Sequence, residues 1–188
     1  MIYTEITPNP ASLKFVVSRH LIKNNTTADC ASPAETENVP IAKKLFDFKF
    51  VERVFVGTNF ITITKSEAFQ WEEIIPVVKD FLKAFFDSGQ EAVTGPYTEP
   101  PAVDEQQASS DDPITQKIKA LLESHVRPAV AQDGGDIIYE SFNQGDGVLK
   151  LRLQGACSGC PSSTLTLKTG IEGLMTRMVP EVKSVEAV

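Results

Sequence analysis

Two thiols three positions apart, Cys157 and Cys160, are the residues in this sequence best suited to chemistry. They lie in Gly155-Ala156-Cys157-Ser158-Gly159-Cys160-Pro161-Ser162-Ser163, between a strand-like run and a helix-like run. The two-residue spacer lets both sulfurs point into one small volume. Gly155 and Gly159 permit backbone angles and close approaches that a side chain would block. Pro161 suits the first position of a helix, which makes Cys160 the expected N-cap. A thiolate there feels unpaired N–H groups and the positive helix end, which lower its pKa, and the same groups can donate to cluster sulfides.

A Cys-x-x-Cys pair serves as a redox dithiol, as half of a zinc site or as half of an iron–sulfur site. Ligand counting constrains the last two. A cubane cluster is normally held by four Cys thiolates, and a closed Cys₄ zinc site needs the same number. The chain has three cysteines, and Cys30 lies in the polar run Asn25 to Asn38 with no partner in sequence. Two copies facing each other across a two-fold axis supply four thiolates with no further residue, which predicts a cluster-bridged homodimer. A thiol–disulfide oxidoreductase and a zinc-stapled dimerisation module remain as alternatives. The redox motif also places its cysteines at a helix N-terminus, so helix position does not discriminate. The small unit around the motif, without a repeated βαβ pattern, weighs against it.

Other candidates carry less. His20 and His125 are the only histidines; His125 follows the apolar face of a helix and reads as structural. Asp133-Gly134-Gly135-Asp136 reads as a helix-terminating Gly pair and a turn into a strand. There is no Ser/His/Asp set, no phosphate-cradling Gly loop and no general base beside the thiols, so turnover chemistry is not expected.

The elements that must position the thiols fall into two groups. From Ser88 to Asp112 the chain carries six acids, no Lys or Arg, and Gly95-Pro96 and Pro100-Pro101. That composition predicts a flexible acidic linker over residues 89–112, roughly 25–30 Å from end to end as a random coil. The formal net charge is −7, and outside the linker only about −1 remains. No basic face is evident, which argues against nucleic acid. Apolar runs are broken well before membrane-spanning length. Met1 to Ile6 lacks the basic start and apolar run of a signal peptide, and is not an Arg-rich transit segment, so a cytoplasmic protein is expected.

Residues 1–88 predict strands at Ile2–Thr7 and Leu13–Val17 around the turn Thr7-Pro8-Asn9-Pro10. Asn24 to Pro40 reads as irregular, and Ile41–Phe46 as a short helix. Strands follow at Val51–Val56 and Phe60–Thr64, then a helix over Ser66–Asp87 in which Pro76 marks the first turn or a kink. Residues 113–188 open with Asp112 as N-cap before Pro113, and Ile114, Ile118, Leu121, Leu122 and Val126 at helical spacing. Strands Ile137–Phe142 and Val148–Gln154, the cysteine loop, a helix over about Pro161–Met178 and a terminal strand around Val182–Val188 complete it. The expected architecture is α+β: two small domains, ββαββα and αββαβ, joined by the linker.

At these residues the sequence resembles the Nfu family of NifU-like iron–sulfur cluster carriers. Asp133-Gly134-Gly135-Asp136-Ile137 is similar to that family's helix-to-strand turn. Gly155 to Leu167 (GACSGCPSSTLTL) is similar to its cluster loop, and Pro180-Glu181-Val182 with Val185 to its closing strand. Thr7-Pro8-Asn9-Pro10 with Lys14-Phe15, Lys44-Leu45-Phe46, and Val56-Gly57 with Phe60-Ile61-Thr62 resemble the Nfu N-terminal domain. The resemblance implies a carrier or scaffold, not an enzyme, that receives or assembles a 4Fe–4S cluster at a homodimer interface, with Cys157 and Cys160 as ligands. It implies an upstream cluster-assembly scaffold and recipient apo-proteins as partners. Members with this N-terminal domain occur in bacteria and in mitochondria; the lack of a leading transit segment favours the bacterial cytoplasm, with a mature form in the mitochondrial matrix as the alternative. The insert around Asn24–Asn38, including Cys30, departs from the family pattern.

Overall fold

The computed structural model describes residues 1–22, 26–95, 112–158 and 161–188, without the side chains of 161–164. It divides into two compact units, Met1–Thr98 and Glu99–Val188.

The first unit is a five-stranded antiparallel sheet with helices on one face. Strands β1 (Ile2–Ile6) and β2 (Ser12–Val17) pair from Ile2↔Val17 to Ile6↔Leu13. Their turn is closed by the Thr7 hydroxyl, which donates to the Asn9 and Ser12 carbonyls at 2.9 and 3.0 Å. Between them and α1 (Pro40–Leu45) lies β3 (Ala28–Cys30), where an irregular segment was expected. Three residues are too few to show a period. They form a strand because Ala28, Asp29 and Cys30 pair with Val56, Phe55 and Val54 of β4 (Val51–Val56). With β5 (Phe60–Lys65) the order is β1-β2-β5-β4-β3.

Helix α2 spans Trp71–Asp87 and buries Ile74, Val78, Leu82 and Phe85, the 4–4–3 spacing of one helical face. Opposite it the sheet contributes Phe15, Val54, Ile61 and Ile63 to the same core. The helix starts five residues later than its apolar pattern suggests. Ser66 N–H donates to the Phe50 carbonyl at 2.9 Å and Phe69 N–H to the Ser66 carbonyl at 3.3 Å, so this stretch serves as a turn. Pro76 lies in the second turn, where its missing N–H forgoes a single bond to the Glu72 carbonyl. The first residues of the stretch read as linker are packed. Ala92 is in the core, its carbonyl accepts from Ile41 N–H, and Thr94 N–H donates to the Asn38 carbonyl. Residues 96–111 lie outside the described residues.

The second unit opens as expected: the Asp112 side chain accepts from Thr115 N–H at 3.2 Å and Pro113 is the first residue of α3 (Pro113–Leu121). The helix then widens into a π-turn over Leu122–Val126 before α4 (Arg127–Gln132). Pro128 explains the widening, since its ring would press on the Ser124 carbonyl one α-turn back and it has no N–H to offer. The π-turn lets the chain pass the proline without ending the helix. Strands β6 (Gly135–Asn143) and β7 (Val148–Gly155) form an antiparallel hairpin. Helix α5 (Pro161–Met178) then returns the chain so that β8 (Ser184–Ala187) lies parallel to β7. Glu172 of α5 fixes β8 by accepting from Val185 N–H at 2.9 Å. Ile118, Val130, Leu149, Leu151, Met175 and Val185 fill the core. Among the described residues no helix is long and apolar enough to cross a membrane.

Candidate metal centre

Cys157 stands on the turn between β7 and α5, and that turn is held from below by the start of β6. Strand β7 ends at Gly155, whose φ of +65° only glycine adopts readily. The reversal there swings Ala156 over, and its N–H donates to the Gly134 carbonyl at 3.2 Å. Gly134 is itself at φ +81°, so each side of this contact needs a glycine. Ser158 N–H closes the turn on the Gly155 carbonyl at 3.1 Å.

Gly135 pairs with Gly155 across the hairpin, and the Cys157 sulfur rests against it. A Cβ at position 135 would sit 2.9 Å from Cys157 Sγ and closer still to the Gln154 carbonyl oxygen. The turn Asp133 to Asp136 is therefore the seat of the cysteine as well as a helix stop. The sequence reading missed this, because the contact spans 22 positions and exists only through the strand register.

Beneath the seat lies an ion pair that the sequence reading, which took Asp136 only as part of a turn, did not anticipate. The Arg127 guanidinium grips Asp136 with Nε on Oδ1 at 2.8 Å and Nη2 on Oδ2 at 2.6 Å, and its Nη1 reaches Glu123 at 2.7 Å. Asp136 Oδ1 also accepts from Ile137 N–H at 2.8 Å. The Asp136 side chain is only 5 % exposed, and its hydrogen bonds hold the Arg127 pKa above the ordinary guanidinium range. This two-pronged pair ties α4 to the first residues of β6, fixing the Gly pair that the cysteine rests on. The pattern that could have revealed it is an Arg nine positions before the Asp that is the second residue of β6.

Cys157 is 3 % exposed and belongs to the core of the second unit. Cys160 and Gly159 lie outside the described residues, so the structure places one of the two expected ligands. Helix α5 does begin at Pro161, as read from the sequence. Cys30 has a different setting. It is fully buried in the first unit, its Sγ contacts the Glu35 carbonyl at 3.4 Å, and its pKa is pushed up to about 12 by burial and then by Asp29 and Glu35. Such a thiol is neither a ready ligand nor a nucleophile.

The raised Cys30 pKa has a consequence for stability. Its thiol ionises more easily unfolded, near 9.0, than folded, near 12. Its contribution is therefore complete below pH 9 and is lost as pH rises toward 12. The resistance of the first unit to urea is expected to fall over that window, and Cys30→Ala to flatten the part of the fall that Cys30 causes. His125 is exposed and hydrogen-bonded through Nδ1 to Ser124 Oγ at 2.7 Å, off the apolar face of its helix. Among the described residues no group of three or more His, Cys, Asp or Glu side chains is placed to hold a metal ion.

Comparison with known proteins bears on both units. Residues 2–89 match the family model described as "Scaffold protein Nfu/NifU N terminal", and residues 118–186 match the "NifU-like domain". The human protein named "NFU1 iron-sulfur cluster scaffold homolog, mitochondrial" is 41% identical over 188 residues, covering 100% of this chain and 71% of its own length. The chain belongs to the Nfu family. The Nfu protein of the same name from Drosophila persimilis is 41% identical over 100% of this chain and 64% of its own. The Arabidopsis thaliana "NifU-like protein 4, mitochondrial" is 41% identical over 98% of this chain and 65% of its own. This Nfu chain thus spans about two thirds of the length of these relatives. The NifU-like match encloses the Gly134–Gly135 seat, the Arg127–Asp136 pair, Cys157 and the whole of α5.

Proposed function

We propose that this chain is an iron–sulfur cluster carrier or scaffold that holds a 4Fe–4S cluster between two copies of itself and passes it to apo-proteins. Cys157 and Cys160 of each copy are the ligands. The observation that carries this reading is the seat of Cys157: a thiol set against a glycine backbone on a turn whose next element is a helix start. The relatives' names, which include "iron-sulfur cluster scaffold", support a scaffold role.

The cluster is cargo here. The Gly134–Gly135 seat and the turn at Gly155 set the direction of the Cys157 sulfur before any iron arrives, so little ordering is left for binding. A helix start such as the one at Pro161 leaves backbone N–H groups unused within the helix, and such groups favour a thiolate at an N-cap. A cluster shared between two chains is held by two thiolates from each, and it can leave when a recipient offers a more complete ligand set. Partners are then an upstream cluster donor, the recipient apo-proteins and a second copy of the chain. Nucleic acid and membranes are not among them. The mitochondrial names of the relatives favour the mitochondrial matrix over the bacterial cytoplasm as the place of work.

Anaerobic reconstitution with iron and sulfide tests the reading. About two irons and two sulfides per chain, with doubled mass, are expected. A colourless monomer that cycles a dithiol would point to the oxidoreductase, and a colourless zinc dimer to the stapled module.

A further inference from the structure

The first exposed turns of α5 carry a feature that cluster ligation does not explain. Leu165 is 66% exposed, whereas Ile171 and Met175 on the same helix are 5% and 0% exposed. Leu165 lies off the stripe those two residues form, so it is not a core position that fell short of burial. Around it Thr166, Thr169 and Gly170 are also exposed. A Cβ added at Gly170 would meet nothing within 4 Å. These exposed residues carry no charge, as at the centre of an interface, on a chain in which 23% of residues are charged; Lys168, one turn on from Leu165, lies half-buried beside them.

The position of Leu165 indicates what covers it. It stands four residues after Pro161, about 6 Å along the helix axis from the end where the cluster would be held. Two thiolates per chain are half a ligand set. Whatever second copy completes the set must bring its own cysteine loop, and therefore the start of its own α5, to the same point. Under two-fold symmetry a surface beside the axis meets itself. We propose that Leu165 packs against Leu165 of a second copy when the two share a cluster, forming the apolar centre of the dimer contact. This rests on the cluster-bridging reading above. A contact centred on a single leucine does not by itself supply the roughly 1,000 Å² of a stable interface. The pairing therefore depends on the cluster and comes apart when the cluster leaves.

The test is a charge exchange. Full-length Leu165→Asp and Leu165→Lys chains, distinguished by mass tags, are reconstituted anaerobically alone and as an equal mixture, beside wild type. Each variant alone places like charges face to face and is expected to retain several-fold less cluster and dimer. The mixture is expected to regain both, with mixed dimers in excess of random pairing by native mass spectrometry. Random pairing, or variants that hold cluster as well as wild type, would overturn the contact while leaving cluster bridging intact. A mixture that regains nothing would also overturn it. Intact dimers that fail only in transfer would place a recipient protein on this face instead. A wild-type chain that binds no cluster would sink the bridging reading itself, and this inference with it.

Discussion

Cys157→Ser and Cys160→Ser are each expected to leave the reconstituted chain colourless and monomeric, while Cys30→Ser keeps its full iron and sulfide. The asymmetry follows from ligand number and from setting. In a bridged dimer each substitution removes two of the four thiolates at once, because both copies carry it. Serine does not make good the loss, since its hydroxyl stays protonated where a cysteine ionises. Cys30 differs in its electrostatic setting: burial and then Asp29 and Glu35 push its pKa up to about 12, so it is a poor iron ligand near neutral pH. Iron and sulfide content per chain, the visible absorption of the cluster and mass by native mass spectrometry check all three variants. Cluster retained by Cys157→Ser, or lost from Cys30→Ser with the fold intact, would remove the thiol pair from the centre of this account.

Much of the second unit was legible because its signals are local. Asp112 before Pro113 marks a helix start within two residues, and the structure uses both as read. Leu149, Leu151 and Leu153 alternate with Lys150 and Arg152, which locates β7 without reference to anything else in the chain. Pro161 marks the start of α5 in the same way.

The parts that were not legible depend on distant residues. Strand β3 has only Ala28, Asp29 and Cys30 and exists because β4 offers its edge; the Arg53 guanidinium holds Asp29 there through Nε at 2.8 Å. The late start of α2 follows from the Phe50 carbonyl capturing Ser66, a contact that no helical period encodes. The π-turn over Leu122–Val126 preserves the apolar spacing on both sides while changing the backbone between them, so Pro128 read as an interruption. At the candidate centre the sequence supplied the ligand types, and the pairing of β6 with β7 supplied their surroundings. Gly135 carries no chemistry of its own. Its role appears only when it lies opposite Gly155 and under Cys157.

That role makes alanine substitutions in this unit expected to act with opposite signs. Gly135→Ala inserts a methyl group against Cys157 Sγ, 2.9 Å from the Cβ position, and against the Gln154 carbonyl oxygen. Neither neighbour is the free end of a long side chain: one is paired backbone at the end of β7, the other a short thiol packed in the core. Something must move, and overpacking of this kind costs about 1–3 kcal/mol. The cheapest movement is of the cysteine loop, which has fewer ladder bonds than β7. Cluster retention is therefore expected to fall further than stability does. Gly173→Ala adds the same methyl group to α5 in open space, where the higher helix propensity of alanine should stabilise the unit by about 0.5–1 kcal/mol. Urea denaturation midpoints, read beside iron content after reconstitution, separate the two effects. If Gly135→Ala loses stability but keeps its full iron, the glycine serves the hairpin alone. If it loses iron at a stability that Gly173→Ala can restore without restoring the iron, the glycine is the seat on which Cys157 is aimed.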